Sequence, residues 1–102
     1  MLPRMATIDA AEAGRRLGSL GGWALDGSAI RRKFTFDGFP DAVAFVTRLG
    51  FDAEAADHHP DILINYKRVT LTYTTHSEGG LTDKDFAGAT RASELATAMG
   101  GR

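Results

Sequence analysis

The stretch EAADHHPDILINYKRVTLTYTTH, residues 54–76, passes from one hydrophobic period to another at a single proline. Upstream of it, apolar residues recur at Ala42, Phe45, Val46, Leu49, Ala53 and Ala56, in steps of three or four, the stripe of a helix buried along one side. Pro60 ends that helix near Asp57 or His58, because the residue before a proline is driven toward extended geometry. Downstream, Val69, Leu71, Tyr73 and Thr75 alternate with Thr70, Thr72, Thr74 and His76, the period of a strand with one face turned inward, and a turn near Tyr66 to Arg68 pairs it with ILIN. His76 falls at the end of that strand.

The rest of the chain repeats the scheme. WALDGSAIRRKFTF, residues 23–36, reads as two strands around Asp26-Gly27, a strong hairpin signal, with Ile30, Arg32, Phe34 and Phe36 on one face and Arg31, Lys33 and Thr35 on the other. Pro40 suits the first turn of the central helix. At the front, Thr7 is a candidate N-cap for a helix from about Ile8 to Leu17, with acidic residues early and arginines late. At the back, Thr82 and Asp85 have the spacing of a capping box, Phe86, Ala89, Ala92, Ala96 and Met99 form a buried side, and Gly100-Gly101 ends the helix. The expected fold is α+β: a four-stranded antiparallel sheet with helices packed on one face, in the order α-β-β-α-β-β-α. At 102 residues this is one domain, 1–102, with residues 1–6 frayed and Met5 a plausible alternative start. An open sheet leaves edges whose pairing between copies would make a homodimer or homotetramer.

Composition narrows the function. A net charge of −1 argues against general affinity for nucleic acid or acidic membranes, and RRK at 31–33 reads as a solvated strand face. No cysteine is present, so disulfides, thiolate metal sites and a cysteine nucleophile are excluded. The opening residues lack the apolar run of a signal peptide and no stretch approaches a membrane span, so a cytoplasmic protein is expected.

Two of the three histidines stand side by side, and this is where chemistry is expected. Glu54 and His58, four apart near the helix end, can pair so that the carboxylate sets the imidazole tautomer. Pro60 pulls His59 out of the helix, so both rings can face one pocket. Metal binding is disfavoured, since adjacent histidines chelate awkwardly and no H-x-x-x-H pair exists. A serine triad lacks its G-x-S-x-G turn, and the glycines at 79 and 80 lack the lysine and serine of a phosphate loop. Trp23, Phe34, Phe36, Phe45 and Tyr73 read as core.

The spacing of Glu54, His58-His59-Pro60, Tyr66, His76 and Asp85 resembles the signature of the pterin-4a-carbinolamine dehydratases, and the likeness runs from about Trp23 to the last helix. One position departs: Ile62 stands two places after Pro60, where many members carry an aromatic residue. The resemblance implies a hydro-lyase acting on the carbinolamine left by an aromatic amino acid hydroxylase, giving quinonoid dihydropterin and water and serving tetrahydrobiopterin recycling. It implies His58 and His76 as the acid-base residues and His59 as the group that holds and polarises the pterin. Thr75 and His76 would also bind substrate. Glu54 and Asp57 would orient the rings, and Asp85 would support the site from the last helix. No cofactor or metal is implied, and a functional link to phenylalanine hydroxylase is expected. Three alternatives stand beside it: a dimeric protein-binding module that uses helix surfaces, a role in pterin or molybdopterin handling outside the hydroxylase cycle, and the disfavoured histidine-metal protein.

Overall fold

The computed structural model describes residues 6–102; the expectations for the alternative start and for fraying of residues 1–5 lie outside these. The chain forms α1 (Ala10–Leu17), β1 (Ala24–Asp26), β2 (Ala29–Thr35), α2 (Phe39–Ala56), β3 (Asp61–Asn65), β4 (Arg68–Tyr73) and α3 (Asp83–Ala98), with a 3₁₀ turn at His76–Glu78. This is the expected α-β-β-α-β-β-α order. All strand pairs are antiparallel and the spatial order is β1-β2-β4-β3, so the two hairpins join through β2 and β4 while β1 and β3 are the edges.

Each hairpin turns through a left-handed residue. Gly27 (φ 62°) adopts it without a Cβ penalty, whereas Tyr66 (φ 55°) adopts it with one. The registers Ile30↔Tyr73, Arg32↔Leu71 and Phe34↔Val69 place the alternating apolar sets of both central strands on the same face. There Trp23, Phe34, Phe36, Phe45 and Tyr73 form a connected aromatic core, with Phe36 and Phe45 rings 5.0 Å apart and Trp23 and Tyr73 rings 5.8 Å apart. Arg31 and Lys33 lie exposed on the open face, as the alternation demands. Arg32 sits at the margin of the inner face, where its guanidinium covers the Phe34 ring at 4.3 Å and donates to the Gly21 carbonyl.

Two local expectations are corrected. The first helix starts at Ala10 rather than Ile8, because Asp9 instead of Thr7 is its cap: the Asp9 carboxylate accepts from the Glu12 N–H at 2.8 Å. Ile8 lies before it and donates its N–H to the Leu81 carbonyl. Ala56, expected on the buried stripe of α2, is exposed, since it lies in the last turn beyond the sheet's cover.

Candidate active site

Helix α2 ends in a way that sorts the two adjacent histidines. Asp57 takes the left-handed conformation (φ 51°), its N–H donates to the Glu54 carbonyl, and the N–H of His58 reaches back to the Ala53 carbonyl at 3.1 Å. This pair of reversed bonds is the Schellman ending, in which one residue beyond the helix turns the chain sharply across the helix end. Asp57 therefore acts through its backbone; its side chain is exposed and has no hydrogen bond or ion pair among the described residues. After the turn His58 points inward, with 12% of its side chain exposed, and His59 points outward, with 55% exposed.

The partners differ from those the sequence suggested. Glu54 pairs with His59, Oε1 to Nε2 at 2.7 Å, and not with His58. The left-handed residue at 57 rotates His58 away from the helix face that carries Glu54, and His59 comes back over it. Both members of the Glu54–His59 pair are exposed, so their attraction contributes well under about 1 kcal/mol.

His58 instead meets Asp85, Nε2 to Oδ1 at 2.6 Å, across 27 positions of sequence. Asp85 is fully buried, and its other oxygen accepts from Thr75 Oγ1 at 2.8 Å and from the Thr82 N–H at 2.9 Å. The Thr82 hydroxyl in turn lies 2.8 Å from that of Thr75 and accepts from the Lys84 N–H. The capping box thus does two things: it starts α3, and it leaves the second carboxylate oxygen facing an imidazole. A carboxylate only accepts, so Nε2 of His58 carries a hydrogen here, and in the neutral form of the ring it is Nδ1 that holds the lone pair. The His58 ring lies nearly parallel to that of Tyr73, at 21° and 6.0 Å between centroids. Burial, and then the charges of Asp85 and Asp52, push the Tyr73 phenol up to about 12, so this neighbour stays neutral.

Strand register brings the third histidine to the same end of the sheet. Asp61, two residues after His59, pairs with Thr72, four residues before His76, so both segments run off the same end of the hairpin. His76 lies exposed at the head of the 3₁₀ turn, with no side-chain partner among the described residues. Glycines 79 and 80 form a plain turn closed by the Thr75↔Gly80 bridge. His58 is thus tied to Thr75 through Asp85, while His59, and His76 next to Thr75 in the chain, face solvent. The cleft beside His58 has neither His59 nor His76 in its lining. Thr75, expected to touch substrate, is buried with its hydroxyl engaged by Asp85 and Thr82. Thr82 was legible only as a helix cap; the sequence holds no sign that its hydroxyl would support the partner of His58. Ile62 is partly exposed on β3, across from Leu71. Among the described residues no group of three or more His, Asp or Glu side chains gathers as a metal site.

An imidazole with a defined free nitrogen, beside two solvent-facing imidazoles, is equipped to move protons to and from a small bound molecule. The comparisons with known proteins point to one such chemistry. The family model described as pterin 4 alpha carbinolamine dehydratase matches residues 6–95. The chain is 52% identical over 92 residues to a protein of Roseiflexus sp. (strain RS-1), covering 89% of this chain and 99% of that one. It is 48% identical over 94 residues to one of Chloroflexus aurantiacus, covering 92% and 98%. Both carry the provisional name pterin-4-alpha-carbinolamine dehydratase. A crystal structure described as a transcriptional coactivator/pterin dehydratase from Brucella melitensis superposes with a TM-score of 0.85 at 36% identity, covering 89% of this chain and 99% of that one. A pterin dehydratase-like protein identified as a RuBisCO assembly factor in the alpha-carboxysome shares the fold, with a TM-score of 0.60 at 23% identity, over 72% of this chain and 86% of its own. With its fold, its match to the family model and its nearly full-length relatives in agreement, this chain belongs to the pterin-4a-carbinolamine dehydratase family.

Proposed function

We propose that this protein removes water from 4a-hydroxytetrahydrobiopterin to give quinonoid dihydrobiopterin by histidine acid-base catalysis, in support of tetrahydrobiopterin recycling. The observation that carries this reading is the hold of buried Asp85 on Nε2 of His58, which leaves Nδ1 free at the hairpin end where His59 and His76 also lie. The elimination needs one proton delivered to the departing 4a-hydroxyl and one removed from a ring nitrogen. Imidazoles suit both tasks near neutral pH. No electrons change hands, so the reaction calls for neither nicotinamide nor metal.

In this scheme His58 and His76 are the acid-base pair, and His59, steadied by Glu54, holds and polarises the pterin. Asp85 is the positioning residue for His58, with Thr75 and Thr82 behind it. Asp57 orients the two adjacent rings through the turn that it makes. A complete histidine and carboxylate set favours an enzyme over a pure protein-binding module, which has no use for it. The edge strand β3, with Leu63 61% exposed, suits pairing with a second copy, so a homodimer or homotetramer is the proposed assembly. The proposed setting is the cytoplasm, alongside a hydroxylase such as phenylalanine hydroxylase.

The test is a stopped-flow assay that follows loss of the carbinolamine absorbance. His58→Ala or His76→Ala is expected to lower kcat by about 10² to 10⁴ in a folded protein, and His59→Ala to raise KM more than it lowers kcat. Wild-type turnover in both of the first two variants rejects the assignment.

A further inference from the structure

Between α2 and α3 the surface opens into a cleft of about 140 Å³. Small side chains make the room. Ala53 and Ala56 face Ala87 and Gly88, and Gly88 lets α3 settle so close to Tyr73 that an added Cβ would lie 2.5 Å from the ring. The walls are apolar, Tyr73 contributes an aromatic surface, and His58 belongs to the lining. An engineered apolar cavity of about 150 Å³ in another protein accepts benzene, so this volume suits one six-membered ring and not two.

Polar groups complete the lining. Lys84 and Arg91 stand against a single acid, Asp52, for a net positive charge. Arg91 gives Asp52 its Nε hydrogen at 3.0 Å, and its guanidinium, with five N–H donors in all, pairs with no other residue among those described. The Lys84 ammonium is likewise unpaired among them, and so is the Tyr73 hydroxyl. Three donors thus border an apolar slot whose only acid is already engaged. That is the complement of a ring bearing one carboxylate.

We infer that the cleft between α2 and α3 is a binding site for a small monocyclic aromatic carboxylate, its ring against Tyr73 and its carboxylate on Lys84 and Arg91. The site is separate from the one proposed for the pterin, since His59 and His76 are absent from its lining, yet it touches the same His58. An occupant therefore packs on the imidazole that Asp85 orients, and its presence is readable there. The inference does not depend on what the histidines catalyse.

The experiment is a heteronuclear NMR titration of the intact protein with benzoate, and with benzamide as the uncharged ring of the same size. Benzoate is expected to give saturable shifts at Ala53, Ala87, Gly88, Arg91 and the His58 ring below about 10 mM, with benzamide at least about tenfold weaker. Lys84→Ala should weaken benzoate about fivefold or more, and Ala87→Leu, which fills the cleft from an exposed helix position, should abolish binding. No saturable shift, equal affinity for benzamide, or shifts centred on His59 and His76 with Gly88 unmoved would each overturn the inference. Lys84 is exposed, so its variant tests the claim even if the Ala87 variant folds poorly.

Discussion

Replacing Asp85 by asparagine tests the reading of His58 with the smallest possible change in shape. The carboxylate receives three hydrogen bonds inside the protein, from the Thr82 N–H at 2.9 Å, Thr75 Oγ1 at 2.8 Å and His58 Nε2 at 2.6 Å. Asparagine keeps one acceptor and turns the other into a donor. Two donors converge on Oδ2, so the amide oxygen stays there and the amide nitrogen faces His58. Nε2 must then accept, and the ring hydrogen moves to Nδ1, the nitrogen that the carboxylate leaves free. All three contacts survive in neutral form, so stability falls by the difference between a charge-assisted and a neutral bond, about 1 to 2 kcal/mol. The acid-base contribution proposed for His58 is expected to be lost whole, about 10² to 10⁴ in kcat. Asp85→Ala differs: three buried donors lose their acceptor, and a loss of about 3 to 5 kcal/mol is expected. Denaturant melts give the first quantity, stopped-flow turnover the second, and the ¹⁵N shifts of the His58 ring report the tautomer directly. A tautomer that moves while kcat stays at wild type refutes the role of Nδ1; a tautomer that does not move refutes the network.

Other outcomes follow from single features. Asp57→Gly relieves the left-handed strain at φ 51° and is expected to leave turnover intact while raising stability by up to about 1 kcal/mol; a large fall in kcat would show that the carboxylate itself acts. Tyr73 is one of two tyrosines, so in a Tyr66→Phe protein the ultraviolet phenolate titration should report a midpoint at about 12. Because burial raises the folded pKa above the ordinary value of 10.0, the stabilisation is complete below pH 10 and is lost as pH rises toward 12, by about 2 kcal/mol in alkaline unfolding curves. Gly88→Ala sets a Cβ 2.5 Å from the ring of buried Tyr73, which must shift to admit it, so overpacking is expected to outweigh helix propensity and the melt should show a net loss of about 1 to 2 kcal/mol. Gly50→Ala, also helical but with open space around it, should instead gain about 0.5 to 1 kcal/mol.

Much of the fold was legible because the signals that set it are local. The stripe from Ala42 to Ala53, the alternation from Val69 to Thr75, the Asp26-Gly27 turn and the box of Thr82 with Asp85 each act within a few residues, and each appears in the structure where its period placed it. The miscast start of α1 belongs to the same class: Thr7 and Asp9 are both competent caps, and only the course of the chain past Leu81 decides between them. The candidate site was legible in its residue types but not in their pairing. Its histidines could be named, as could the carboxylates near them, because adjacent imidazoles before a proline are conspicuous.

What sequence could not assign was which carboxylate serves which ring. Spacing favoured Glu54 for His58, on the geometry of a continuing helix; a left-handed residue at Asp57 ended that geometry and handed Glu54 to His59. The choice of Asp85 depends on β3 and β4 pairing in one register and on α3 docking over Tyr73, which together close a gap of 27 positions. The chain by itself determined its elements and the residue types at the site, since both depend on neighbours in sequence. Only the packed structure decided the hydrogen-bond partners, the free nitrogen of His58 and the cleft beside it, because those depend on the distance between segments that no local rule constrains.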